Sequence, residues 1–250
     1  MIEAARARLG VVSLLFGLAV LAWWSTWREM QGMDAGPWTG LGAASWFLGI
    51  WVVMMAAMML PSVAQTVALY ARLTRERSPL STLLFTSGYL VVWAGAGAVA
   101  FAAAAAGRSL DGNVLAWDRA GRWAAGATLV IAAVYELTPM KDACLGKCRS
   151  PLGFLLGSWR GGRSGPLRMG AAAGAWCVGC CWALMASLFA LGVMSLVWMA
   201  FTAALIAAEK TVPWRRAATF GTAAVLLALS IAFLAAPGAI PSLTVPGSRM

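Results

Sequence analysis

Long stretches without Asp, Glu, Lys or Arg dominate the chain: Leu9 to Trp27, Ala35 to Ala71, Ser78 to Gly107, Met169 to Ala208 and Ala217 to Ser248. Trp123 to Met140 is broken only by Glu136. About 20 apolar residues in a helix cross the roughly 30 Å core of a bilayer, and the run from Met169 is about twice that length. It therefore holds two helices, turning near Gly192 and Ser195. The pattern predicts an all-α polytopic membrane helical bundle of about seven transmembrane helices, at 9–27, 41–70, 80–106, 121–138, 169–190, 195–209 and 217–236. Together they form a single integral membrane domain over residues 1–250.

Local signals refine this pattern. Trp23, Trp24 and Trp27 close the first span like an interfacial belt, and no small-residue cleavage site precedes Arg28, so the span is expected to be retained. Pro61 interrupts the second run, where it removes a helical hydrogen bond and is expected to bend a helix that continues towards Tyr70. Gly170 and Gly174 offer a small-residue packing face, and the alanine tract Ala102 to Ala106 reads as another. The sequence Gly161-Gly162-Arg163-Ser164-Gly165 lacks the strand and the terminal Gly-Lys-Ser/Thr of a phosphate loop, and reads as a cytoplasmic turn.

Composition supports the membrane reading. Hydrophobic residues make up 61% and charged residues 11%, against about 25% charge in soluble domains. The formal charge of +10 would suggest anionic partners in a soluble protein. Here it has a topological cause. With the N-terminus inside, only Arg28, Arg108, Arg119, Arg122 and Arg249 of the 19 basic residues fall in outer segments, as the preference for positive charge on the cytoplasmic side requires. A cytoplasmic N-terminus, a multi-pass location in the bacterial cytoplasmic membrane, the lipid bilayer as main partner and no nucleic-acid partner are the resulting expectations. The chain contains no histidine, which excludes imidazole acid–base catalysis, histidine-based triads and imidazole metal sites.

Sulfur is the remaining chemistry. Cys177, Cys180 and Cys181, with Met185, recur at offsets of three, four and eight residues and share one helical face. Cys144 and Cys148 lie one helical turn apart beside Lys141, Lys147 and Arg149, cations that would favour thiolate. Trp51, Met54, Met55, Met58 and Met59 trace a stripe ahead of Pro61. A buried cysteine is often a small hydrophobe and methionine an adaptable filler, so each group alone has a packing explanation. Taken together, thiolates and thioethers without imidazole select Cu(I) over harder ions. Cys177 to Cys181 are expected about 12–18 Å inside their helix at 1.5 Å per residue, with Cys144 and Cys148 at the inner surface. The two sets would then be separate stations, unless Pro151 to Leu156 dips back into the membrane. Glu136 and Glu209 are intramembrane carboxylates that read either as structural ion pairs, Glu209 with the adjacent Lys210, or as proton-coupling or entry-site groups.

The runs Trp51 to Ser62 (WVVMMAAMMLPS), Tyr135 to Gly153 (YELTPMKDACLGKCRSPLG), Trp176 to Met185 (WCVGCCWALM) and Gly192 to Met199 (GVMSLVWM), with Glu209-Lys210, resemble a bacterial domain-of-unknown-function family described as predicted metal-binding integral membrane proteins. The resemblance covers about residues 45 to 215. It implies Cys144, Cys148, Cys177, Cys180 and Cys181 as motif cysteines, with Met54, Met55, Met58, Met59 and Glu209 as further motif positions, and no established reaction. The chain departs from that pattern at Lys147 and Ala173, near which a histidine is common in the family, and at Ser195, where an asparagine is.

These readings converge on a membrane protein that binds a soft metal ion, Cu(I) foremost, and moves it or hands it on. The ligands are drawn from the five cysteines with Met54, Met58 and Met185, and the partner is a metallochaperone or a metalloenzyme under assembly. No catalytic residue is assigned. Two other readings stay open: a membrane thiol-disulfide oxidoreductase cycling Cys180 with Cys181 or Cys144 with Cys148, and a non-catalytic membrane assembly partner whose cysteines only pack.

Overall fold

The computed structural model describes residues 2–29, 43–74, 80–110, 122–191 and 195–235. Among them the chain is all helical: α1 (Ile2–Glu29), α2 (Ala44–Leu73), α3 (Leu80–Leu110), α4 (Arg122–Glu136), α5 (Pro139–Arg149), α6 (Pro151–Gly157), α7 (Gly165–Leu191), α8 (Leu196–Thr211) and α9 (Arg215–Ala235). Each apolar run of the sequence has its helix. Five helices are long and apolar enough to cross a bilayer, or six if α4 and α5 count as one broken span. The turn expected at Gly192 lies outside the described residues.

Breaks between helices follow from a few side chains. Pro61 does not end α2, which continues to Leu73, and the hydroxyl of Ser62 donates to the Met59 carbonyl at 2.9 Å. Thr74 closes that helix by donating both its backbone N–H and its hydroxyl to the Tyr70 carbonyl. Thr138-Pro139 breaks α4 from α5 because a residue before proline avoids the helical region. Proline then starts the next helix without wasting an N–H. The Thr138 hydroxyl accepts from the Lys141 N–H at 3.3 Å as an N-terminal cap, and the two helices bend by 67°. Ser150-Pro151 repeats the break before α6. Between α6 and α7, Gly162 has φ +84°, a left-handed conformation that only glycine adopts freely, so the glycine-rich segment is a turn as its sequence indicates.

The helices assemble into two compact units. The first takes α1 up to Thr26, Ala43–Val99 and Ala143–Cys180. Its core is the buried side of α2, with α6 folded back onto that helix. Here α3 and α7 cross at backbone distance: a Cβ on Gly88 would lie 2.1 Å from the Leu167 carbonyl oxygen, and one on Gly170 1.8 Å from that of Phe85. Gly174 faces Tyr89 in the same way. Gly170 and Gly174 therefore form the small-residue packing face that their spacing announces. The second unit takes Ala100–Asp142 and the chain from Cys181 onwards. There α9 packs along α4, with Leu234 against Gly126 and the Ser230 hydroxyl donating to the Gly126 carbonyl at 3.0 Å. In both units the outward faces carry large apolar side chains such as Val20, Val91, Val99, Phe220 and Ile231.

Candidate metal centre

Helix α7 presents Cys177, Cys180 and Cys181 on successive turns, all three buried, with their sulfurs within 4.8 Å of one another. The Cys180 thiol donates to the Cys177 carbonyl at 3.1 Å. A thiolate-bound ion about 2.3 Å from each sulfur spaces those sulfurs about 4 Å apart, so the cluster has the dimensions of a metal site. None of the five cysteines is in a disulfide.

The cysteines of α5 join this group. Cys148 Sγ lies 3.7 Å from Cys180 Sγ, and Cys144 is buried against Gly179 of α7, where a Cβ would stand 2.9 Å from its sulfur. Gly179 thus makes room for Cys144. Of the two outcomes left open for the cysteine groups, the structure has them together: α6, which contains the apolar stretch Pro151 to Leu156, packs onto α2, and Cys148 meets Cys180. The expected activation of Cys144 and Cys148 by nearby cations is corrected. Contact with the Cys177 and Cys180 thiols, together with burial, pushes the Cys148 thiol well above its ordinary range, and burial pushes Cys144 up. Lys147 is exposed, where water screens its charge, and Lys141 is held by carboxylates.

Methionine completes the sulfur lining. Met54, Met55, Met58 and Met59 are all buried along α2. The contact to the thiols comes from Met59, whose Sδ is 4.0 Å from Cys177 Sγ. Met185 is buried on α7 one turn beyond Cys181. Trp51, at the head of the stripe, donates its indole N–H to the Trp93 carbonyl at 2.9 Å and packs its ring on Gly97. From α3, Tyr89 donates its hydroxyl to Cys177 Sγ at 3.0 Å. Four helices, α2, α3, α5 and α7, therefore reach the sulfur cluster.

The second unit contains a different polar cluster. Lys141 is fully buried, its Nζ 2.6 Å from Glu136 Oε1 and 2.8 Å from Glu209 Oε2. Burial by itself would lower the Lys141 pKa, but Glu209 and Glu136 outweigh it and raise the pKa. The triad ties α4, α5 and α8 together. Lys141 is thus a partner of Glu209 that adjacency in sequence does not reveal. At the surface of the same unit Arg215 pairs with Asp142 at 2.9 Å.

A soft-donor cluster of this size, buried and built from several helices, is what a copper-handling protein needs, and the sequence matches one such family over residues 48–233. The chain belongs to the PpoB2 copper chaperone family. The matched region contains all five cysteines, the methionine stripe and both glutamates. No curated protein and no solved structure matches the chain. A copper chaperone binds copper as cargo, and the donors at hand suit it: thiol and thioether sulfur, with no imidazole anywhere in the chain.

Sequence reasoning missed Tyr89, Gly179 and the partner of the glutamates. Tyr89 is one of only three tyrosines, yet nothing in the spacing of α3 marks it. For Lys141 a signal did exist, a lone lysine five residues after Glu136 with a helix break between them.

Proposed function

We propose that this protein is a multi-pass protein of the bacterial cytoplasmic membrane that binds Cu(I) and hands it to a metalloenzyme under assembly. Cys177, Cys180 and Cys181 are the central ligands, with Cys148 and Met59 completing the set. Cys144, Met54, Met58 and Met185 are flanking donors that receive or release the ion. The observation that carries the reading is the 3.7 Å approach of Cys148 to Cys180, which turns a cluster on one helix into a site closed by a second helix. Membership of the PpoB2 copper chaperone family supports the choice of ion. The apolar helices and their outward-facing Val, Leu, Ile and Phe support insertion in lipid. The charge asymmetry favours seven spans with a cytoplasmic N-terminus, with α5 at the inner surface.

Purified protein from copper-grown cells tests the reading. Elemental analysis is expected to find copper in the wild type and to lose it in Cys177→Ser/Cys180→Ser/Cys181→Ser. An unchanged copper content in a folded triple variant overturns the proposal. The neighbouring Cys148 and Cys180 thiols favour a thiol-disulfide oxidoreductase as the second reading, with these two as the cycling pair in place of Cys180 with Cys181 or Cys144 with Cys148. A disulfide between Cys148 and Cys180 that forms and reduces with a partner protein, in copper-free protein, decides for it.

A further inference from the structure

Tyr89 stands almost wholly buried in the first third of α3. Its hydroxyl donates to Cys177 Sγ at 3.0 Å. The bond is built into the crossing of two helices. Gly88 abuts the Leu167 carbonyl, and Gly170 and Gly174 abut the carbonyls of Phe85 and Tyr89, so the α3 and α7 backbones touch on the turns leading to this pair. With the backbones in contact the phenol has little freedom to swing away. A buried phenol needs a partner for its hydroxyl, yet a neutral thiol is a weak acceptor. A thiolate is a strong one, because a charge-assisted hydrogen bond is roughly twice as strong as a neutral one.

The Cys177 sulfur is the acceptor of this bond and also the donor to Met59 Sδ at 4.0 Å. When Cu(I) enters, the Cys177 thiol proton leaves to solvent and a copper–sulfur bond forms. Donation to Met59 then ends, while the phenol keeps its own proton and its hydrogen bond. Several thiolates on a monovalent ion leave a net negative complex in an apolar interior, where each uncompensated charge is costly. A neutral donor lowers that cost without adding a ligand or an ion.

We propose that Tyr89 is a positioning residue of the copper site, fixing the Cys177 sulfur and stabilising its metal-bound thiolate through the phenol hydrogen bond. The proposal rests on the reading of Cys177 as a copper ligand. Hydrogen bonds of this kind to a metal ligand typically account for about 10–100-fold in affinity.

Tyr89→Phe removes one oxygen and leaves the ring. In the full-length protein, titrated with Cu(I) against a competing chelator, it is expected to bind the same number of copper ions about 10–100-fold more weakly. The ultraviolet sulfur-to-copper charge-transfer band is expected to move to lower energy, because the sulfur lone pairs lose their stabilising donor. In a Cys177→Ser background Tyr89→Phe should have no further effect on affinity. Should Tyr89→Phe fail to fold, 3-fluorotyrosine at position 89 keeps the shape and strengthens the donor, and the band is expected to move to higher energy. Unchanged affinity and an unmoved band in a folded Tyr89→Phe protein that still needs Cys177 for copper overturn the role of Tyr89 alone. Copper binding that does not depend on Cys177 overturns the underlying reading and this proposal with it.

Discussion

The two units bury polar groups in opposite ways. In the second unit Glu136, Lys141 and Glu209 are closed on each other, with both carboxylates on one ammonium. In the first, Cys148, Cys177 and Cys180 lie together as thiols outside any disulfide, beside a thioether. Thiols are poor hydrogen-bonding groups, and burying them costs little. Carboxylates and ammonium ions cost several kcal/mol each unless paired. The difference teaches that a buried charge must bring an opposite charge and so becomes a fixture, whereas buried sulfur is content with weak contacts that a soft ion can replace. The triad reads as a clamp and the sulfur cluster as a receptacle.

That contrast breaks first if the sulfurs are dispensable. Replacing Cys177, Cys180 and Cys181 by serine should abolish copper binding measured by elemental analysis, whereas Asp142→Asn should leave the copper content at the wild-type level. Removing one member of the clamp should have the next largest effect. Lys141→Met strands two buried carboxylates, and an unfolding titration in detergent is expected to show a loss of about 3–5 kcal/mol. Neutralising all three with Glu136→Gln and Glu209→Gln in the same chain should recover much of it. A stable Lys141→Met protein would mean that the triad is no clamp.

Steric packing ranks third. Gly170→Ala places a methyl group 1.8 Å from the Phe85 carbonyl oxygen, so α3 and α7 must separate, at a cost of about 1–3 kcal/mol in the same titration. The same change at Gly221, which has open space around it, serves as the control and should be near neutral. The smallest effect belongs to the partly exposed Arg215–Asp142 pair, where Arg215→Ala is expected to cost at most about 1 kcal/mol and to matter less at high salt.

Much of this architecture was legible because helix formation in apolar runs is a local matter. The runs at Ala35 to Ala71 and Ser78 to Gly107 lead to α2 and α3 with only the ends adjusted. The two short helices α5 and α6 were not foreseen, although Thr138-Pro139 and Ser150-Pro151 mark their starts through the conformational restriction that proline imposes on its neighbour. The helical offsets of Cys177, Cys180 and Cys181 were enough to predict a shared face. The merging of Cys148 with that face was not legible. It goes with α6 packing onto α2, and the sequence of Pro151 to Leu156 leaves open whether that stretch returns.

By itself, then, the sequence determined the all-helical class, the approximate extent of the long helices set by the charge-free runs, and the kind of donor available, since a chain without histidine leaves sulfur for a soft metal. Tertiary structure alone decided which sulfurs share a site, that Met59 is the thioether in contact with Cys177, that Lys141 answers both glutamates, and that Tyr89 stands over Cys177. The physical reason is range. Helical periodicity and proline stereochemistry act within a turn or two of chain, whereas these pairings join residues as far apart as Met59 and Cys177, which only the packing of separate helices brings together.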